Sequence, residues 1–402
     1  MQNWLFVGVL SFEQVRYMGK KLTVSKKSLM YALMILPFVF PEMFYFNGVL
    51  SKIIVAWKML VVVFSGLLLI KQRLHIKKSR LFLFLFLLYN IALSFYNGVM
   101  PSFEIYELSM VIIFCYYLDR DMAEFLKVVI IIGEIMIYIN FATVIIFPNG
   151  MYTTVSDYAD GYSANWFLGY KNPMVRLILP ICLFSYVYSE KFDKSRIFRS
   201  RILLAVSIVT VIMVKSSGGI MGLIVFALFV LGCNFKSVVE IIKRLKVKAI
   251  YFVVILIDIV IVVLRQQTLF SFVIDNFLQR STETLTGRTE IWDVAINLIV
   301  ANPVFGYGES SVNLMHKYIY ASHPHNYILY IVLQGGLISF ILLTAFIFVA
   351  DKSLNVATKN NPELRCMVLG AITSFFVMGI AESLTSAIFY YPLFALCDEG
   401  RK

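Results

Sequence analysis

Apolar runs recur along this chain at intervals that leave little room for anything else. A helix needs about 20 mostly apolar residues to cross a bilayer. Runs of that kind, some slightly shorter, are read at roughly 29–46, 48–70, 81–99, 103–118, 125–147, 173–188, 202–214, 218–233, 249–264, 327–350, 366–381 and 383–397. The composition agrees: 60% of the 402 residues are hydrophobic and 15% are charged, against about 45–50% and about 25% in soluble domains. So little charge cannot cover a water-soluble body of this size. The spacing predicts an all-α, polytopic membrane protein with about twelve transmembrane helices. Three parts are expected: helices one to nine with short loops over 1–264, a large extracytoplasmic loop over 265–326, and the last three helices with a cytoplasmic C-terminus over 327–402.

The net charge of +12 reads as a topology signal. With the N-terminus placed inside, residues 1–28, 71–80, 119–127, 189–201, 234–248, 351–365 and 398–402 carry 27 of the 36 Lys and Arg residues. This is the bias of cytoplasmic loops, so KSRIFRSR and KRLKVK read as inner-loop anchors and no nucleic-acid partner is expected. A bacterial plasma membrane protein with both termini cytoplasmic is the expectation. MQNWLFVGVLSF lacks the basic start of a cleavable signal and reads as an interfacial segment. Cys115, Cys182, Cys233, Cys366 and Cys397 show neither metal-ligand spacing nor an extracellular pairing pattern, so neither a disulfide nor a metal cluster is expected.

Two stretches break the alternation of span and short loop, and both fall outside by this count. The first, 148–172, is rich in Tyr, Gly and Asn. The second, 265–326, is hydrophilic but keeps an apolar period: in RTEIWDVAINLIVANP, Ile291, Val294, Ala295, Leu298 and Ile299 fall on one helical face. Thr286 or Gly287 can cap that helix, and Asn302-Pro303 ends it. Arg288 then lies in the first turn, where free backbone N–H groups already favour an anion and a guanidinium adds a bidentate phosphate clamp. VFGYGES (304–310) supplies glycines for a tight turn without the strand that a nucleotide-binding pattern needs.

TGRTEIWDVAINLIVANPVFGYG followed by HPHNYILYIVLQGGLISF resembles the O-antigen ligase and O-antigen/capsular polysaccharide polymerase (Wzy-like) superfamily. The matching positions are Thr286, Gly287, Arg288 and Trp292; Asn302, Pro303, Gly306 and Gly308; His325, Asn326, Leu329 and Gly336. The glycine pair Gly335-Gly336 is adjacent, where many members separate the two. Upstream, YKNPMVRLILP (170–180) resembles the entry to a span, and KSSGGIMG (215–222) resembles an S-R-G-G turn with Ser217 where arginine is usual, so that Lys215 would have to supply the charge. The resemblance implies a GT-C-like, metal-independent glycosyltransferase with no cofactor. Its expected substrate is an undecaprenyl-pyrophosphate-linked oligosaccharide on the outer membrane face. In a polymerase the acceptor is the non-reducing sugar of another lipid-linked repeat; in a ligase it is lipid A core. Membrane lipid, a chain-length regulator and the flippase of the same pathway are the partners it implies.

That chemistry has three needs. Charge developing on pyrophosphate must be stabilised. Nine Lys and Arg residues lie off the inner loops: Lys52, Lys58, Lys171, Arg176, Lys215, Arg265, Arg280, Arg288 and Lys317. Arg176 and Lys58 fall inside apolar spans, where an ionisable group usually marks a site or a partner. The second need is a general base. His325, with an ordinary pKa of about 6.5, suits it; Glu290 and Asp293 are alternatives, and Glu290 is read equally as a partner of Arg288. His323 reads as a supporting group or a plain loop residue, while His316 and His75 read as structural. The third need is a sugar platform, for which Trp292, Tyr307, Tyr158, Tyr162 and Trp166 compete with the ordinary aromatic belt. Arg288 and His325 are thus the catalytic candidates, with Lys215, Arg176, Lys171, Glu290, Trp292, Tyr307, His323 and Asn326 around the substrate. Polymerase is the preferred reading, since a Lys-, Ile-, Phe- and Tyr-rich chain suggests a Gram-positive source without lipid A. A ligase is the alternative, and a flippase the rival of another class, for which mid-span Asp258 and Glu134 would speak.

Overall fold

The computed structural model describes residues 25–71, 76–155, 162–270, 287–385 and 388–398, without the side chains of Gln267 and Phe270. His75, Tyr158, Arg280, Thr286 and the N-terminal interfacial segment lie outside the described residues. Helix α1 (Lys26–Val39) starts at Ser25, whose hydroxyl accepts from the Ser28 N–H at 3.0 Å. It is followed by α2 (Gly48–Lys71), α3 (Lys78–Tyr96) and α4 (Ser102–Ile146). The expected spans 103–118 and 125–147 are the two legs of α4, broken at Asp121 (φ −147°, ψ 51°). There the Asp121 carboxylate accepts from Tyr31 Oη at 2.9 Å and pairs with Lys27.

After α4 comes a correction to the all-α expectation. A three-stranded antiparallel sheet forms from β1 (Tyr152–Val155), β2 (Tyr162–Trp166) and β3 (Gly169–Tyr170). Tyr and Thr favour pleated backbone, and buried Trp166 anchors the sheet by donating its indole N–H to the Phe147 carbonyl at 2.8 Å. The chain continues through α5 (Val175–Lys191), α6 (Ile197–Met213), α7 (Ser217–Gly232), α8 (Lys236–Arg244) and α9 (Val247–Asp258), which widens into a π-turn over Ile259–Val263. Between α9 and the next long helix lie α10 (Arg288–Ala301) and α11 (Ser310–Ile319). Then α12 (Tyr327–Ala357), α13 (Pro362–Gly379) and the short α14 (Tyr390–Leu393) complete the described chain.

By length and composition, α2, α3, α4, α12 and α13 can each cross a membrane, and α7 with α8, bent by 117°, can count as a sixth span. This is fewer than twelve. The apolar stretches at α5 and α6 are helices of 17 residues and that at α7 is one of 16, all at the short end for a bilayer. The expected final span at 383–397 is not one helix. Among the described residues there, α14 and a 3₁₀ turn at Phe394–Asp398 form, tucked into the core with Tyr390, Leu393 and Leu396 fully buried.

The bundle closes by pairing α13 with α7 and α12 with α3, with α4 packed against α1, α2 and α5. Without a hydrophobic drive between spans, close approach at small residues holds such helices together. A Cβ on Gly370 would come within 2.6 Å of Phe229 Cβ, and one on Gly222 within 2.6 Å of Met378 Cγ. At the end of α7, Cys233 is bonded to Cys366 on α13, with Cα atoms 6.4 Å apart. This corrects the expectation of no disulfide: the 133-residue separation hides a pairing that the α7–α13 contact creates.

Candidate functional site

The segment that carries α10 and α11 is built onto the bundle through a backbone seam. α12 breaks at Gly336 (φ 59°, ψ −159°), which costs it helical hydrogen bonds. The turn 302–309 replaces them. Tyr307 N–H donates to the Gln334 carbonyl at 3.0 Å, Gly308 N–H to the same carbonyl at 2.6 Å, and Leu337 N–H to the Pro303 carbonyl at 2.8 Å. Gly306, at φ 73°, lies so close that a Cβ would sit 2.6 Å from Gly336 N. The two glycine motifs are therefore halves of one joint. Tyr307 belongs to it, donating its hydroxyl to the Leu298 carbonyl at 2.9 Å.

α10 lies on this joint and begins at Gly287, which adopts φ 77° as its cap. Of the face the periodicity predicted, Ile291 and Ala295 are buried and Val294, Leu298 and Ile299 half-buried; Trp292, outside that set, is buried beside it. The indole N–H of Trp292 donates to the Pro324 carbonyl at 2.9 Å and so fixes the HPHN loop. Arg265 pairs with Asp293 and sits over Trp292 with its guanidinium 5.5 Å from the ring centre. Glu290 is exposed.

Asn326 caps α12: its side-chain oxygen accepts from Leu329 N–H at 2.8 Å, and its amide nitrogen donates to Asp258 at 2.7 Å. Asp258 thus has a structural partner. Glu134 likewise pairs with Arg199, and Lys58 sits among Tyr45, Tyr106 and Phe38, 5.0 to 5.9 Å from their ring centres. The cap places His325 immediately before the helix at φ 51°, a left-handed conformation that costs an L residue about 1–2 kcal/mol.

The side chains converge on Glu382, a residue the spacing argument passed over. It sits just beyond α13 in the non-helical stretch that leads to α14. Arg288 Nη2 is 3.3 Å from its Oε1, and His325 Nδ1 is 3.8 Å from its Oε2. Asn172 Nδ2 donates to Oε1 at 2.9 Å, and Ser216 Oγ donates to Asn172 Oδ1 at 3.1 Å. A Cβ on Gly218 would lie 3.2 Å from Glu382 Cγ, so the carboxylate lies beside the first turn of α7. Arg176 lies in the field of the Glu382 and Glu42 carboxylates. His323 stands edge-on to His325 with ring centres 4.3 Å apart. Its buried Nδ1 has no hydrogen-bond partner among the described residues.

Burial raises the Glu382 carboxyl, but the neighbouring His325 and the charge of Arg288 outweigh it and hold the group at about 2. Burial, then the neighbouring His325 and Arg176, pushes the His323 imidazole well below its usual value. An ionised carboxylate therefore stands against two arginines and a pair of imidazoles.

Four segments far apart in sequence thus share one site: YKNPMVR through Asn172 and Arg176, KSSGG through Ser216 and Gly218, TGR through Arg288, and HPHN through both histidines. Lys215 is exposed at φ 55°, one residue outside this set. Lys171 lies 5.9 Å from the Tyr170 ring centre. Tyr162 is exposed, Trp166 is buried in the sheet contact, and His316 is exposed on α11. Asn172 and Ser216 stood inside quoted motifs. Glu382 could have been found as a lone carboxylate in an apolar stretch, which is costly enough to suggest a role. Among the described residues no three His, Cys, Asp or Glu side chains are arranged to hold a metal ion.

A polytopic membrane protein with a cationic, histidine-bearing site between its long helices and the segment that carries α10 and α11 is the class these features define. Residues 202–344 match the family model Wzy_C, described as O-antigen ligase, consistent with the O-antigen ligase/Wzy-like superfamily that the motifs resemble. That match includes KSSGG, TGR, the NP-x-x-G-x-G turn and HPHN. Among curated proteins no sequence match is found.

Proposed function

We propose that this protein is a membrane glycosyltransferase of the polysaccharide polymerase type. It transfers a glycan from undecaprenyl pyrophosphate to the non-reducing sugar of another lipid-linked repeat on the outer membrane face. The observation that carries this reading is the cluster of Arg288, Arg176 and His325 around Glu382. Arg288, in the first turn of α10, and Arg176, in the first turn of α5, bind the pyrophosphate and stabilise the charge it gains as the glycosidic C–O bond breaks. His325 takes the proton of the attacking acceptor hydroxyl at Nε2. Glu382, on its Nδ1 side, fixes the ring and stabilises the imidazolium that forms. Fixed cations do this work in a GT-C-like arrangement without a metal. Asn172 and Ser216 position Glu382 and the first turn of α7. Trp292 and Asn326 hold the histidine loop, and His323 lines the pocket as a neutral imidazole.

Donor transfer to a lipid A core is the second reading, favoured by the O-antigen ligase description of the matching family. One experiment separates them. Chromosomal His325→Ala and Arg288→Ala variants are made, their membrane levels checked, and surface glycan and lipid-linked intermediates sized. A polymerase variant loses polymer while single lipid-linked repeats persist outside. A ligase variant accumulates full-length polymer on the carrier. Repeats trapped inside would show a flippase, and unchanged polymer would overturn the site.

A further inference from the structure

At the other end of the bundle, away from the histidines, the ends of α2 and α3 meet the break in α4. A cavity of about 360 Å³ opens there. Lys77, Arg80 and Arg120 line it against a single carboxylate, Asp119. Asp119 is committed to its neighbours: Lys77 Nζ donates to it at 2.7 Å, and Arg80 grips both its oxygens at 3.0 Å. Arg80 is buried and also donates to the Cys115 carbonyl at 3.3 Å and the Ala395 carbonyl at 3.5 Å, so its position is set before any ligand arrives. The exposed Arg120 holds its guanidinium 4.0 Å from the Tyr116 ring centre, turned across the same rim. Three cations and one anion leave two positive charges on the wall. Leu69 and Phe84 supply apolar surface beside them.

The proposed reaction uses none of these groups. We propose that this cavity binds the headgroup of an anionic phospholipid, its phosphate against Lys77 and Arg120 and its first acyl methylenes against Leu69 and Phe84. A cationic pocket between spans on the basic side of a membrane protein is suited to such a headgroup. A soluble anion would gain from the charges alone, whereas a lipid also covers the apolar wall. The basic ends of α2 and α3 put the cavity at the face that the charge bias reads as cytoplasmic, level with the headgroups of that leaflet.

The test uses the full-length protein, delipidated in detergent, with dioleoyl phosphatidylglycerol, dioleoyl phosphatidylethanolamine and inorganic phosphate as probes. Native mass spectrometry is expected to show phosphatidylglycerol bound about tenfold or more tightly than phosphatidylethanolamine. Lys77→Gln/Arg120→Gln is expected to abolish that preference, and a diazirine-bearing phosphatidylglycerol should crosslink within residues 76–84. Equal binding of the two lipids, or crosslinks confined to other helices, would overturn the proposal. So would displacement of phosphatidylglycerol by millimolar inorganic phosphate, which would mark a soluble-anion site. Should the double variant fail to fold, lipid preference and crosslink position in the wild type still decide.

Discussion

Glu382 touches partners from three other segments, and its replacement separates charge from shape. Glu382→Gln keeps the volume and the hydrogen bond with Asn172 but removes the charge that His325 and Arg288 face. Transfer is expected to fall by about 10²–10⁴-fold, the usual worth of general acid–base assistance, with membrane levels retained; glycan sizing checks both. The same residue gives an acid-side signature. Its carboxyl is held at about 2, below the ordinary 4.5, so ionised Glu382 stabilises the folded state at neutral pH. That contribution is complete above about 4.5 and is lost as pH falls towards about 2. Thermal unfolding in detergent should therefore weaken across this window in the wild type, and less steeply in Glu382→Gln. At this scale the sequence was informative where a residue carried a motif. Arg288 and His325 stood in patterns, whereas Glu382 stood alone, and nothing local to it announces three partners.

The joint between α12 and the turn 302–309 is an element-scale device, and its glycines serve backbone contact. Gly336→Ala must place a Cβ at φ 59° and against the backbone N of Phe305, 2.7 Å away. A destabilisation of about 2 kcal/mol or more is expected from conformation and overlap together, seen as a lowered Tm with loss of transfer. Under the same turn, Gln334 Nε2 donates to Glu104 at 2.9 Å and to Glu309 at 3.1 Å, and the two carboxyls share a hydrogen bond. Burial first, then the charge of Glu104, pushes Glu309 up to about 8. Its neutral form suits the fold, so its contribution is full below about 4.5 and is lost as pH rises through about 8. Glu309→Gln, permanently neutral, is expected to flatten the fall in Tm between about pH 4.5 and about pH 8; a wild-type slope retained in the variant would refute the pairing. The amphipathic period of α10 predicted its buried face, because that face depends only on spacing. The joint was less legible, since a glycine's meaning depends on which backbone comes against it.

Across the whole molecule, the charge bias assigns one end of the bundle to the cytoplasm and the site to the outside. Single cysteines at exposed Lys317 and Lys236 should accordingly react with an impermeant maleimide from opposite sides: Lys317→Cys in intact cells, Lys236→Cys only in inverted vesicles. Labelling of both from one side would reverse or break the topology.

By itself the sequence determined the environment and marked two members of the side-chain cluster. Apolar runs and scarce charge require a bilayer, and Arg288 and His325 stood in quoted motifs. Tertiary structure decided the rest. It put a break at Asp121 between two expected spans, formed only short helical turns in the described part of 383–397, paired β1, β2 and β3, and joined Cys233 to Cys366. It also made Glu382 the meeting point of α5, α7, α10 and the α12 cap. The physical reason is range. Hydrophobic length and helical period are properties of neighbouring residues, whereas a buried carboxylate acquires its partners only when helices far apart in sequence are packed side by side.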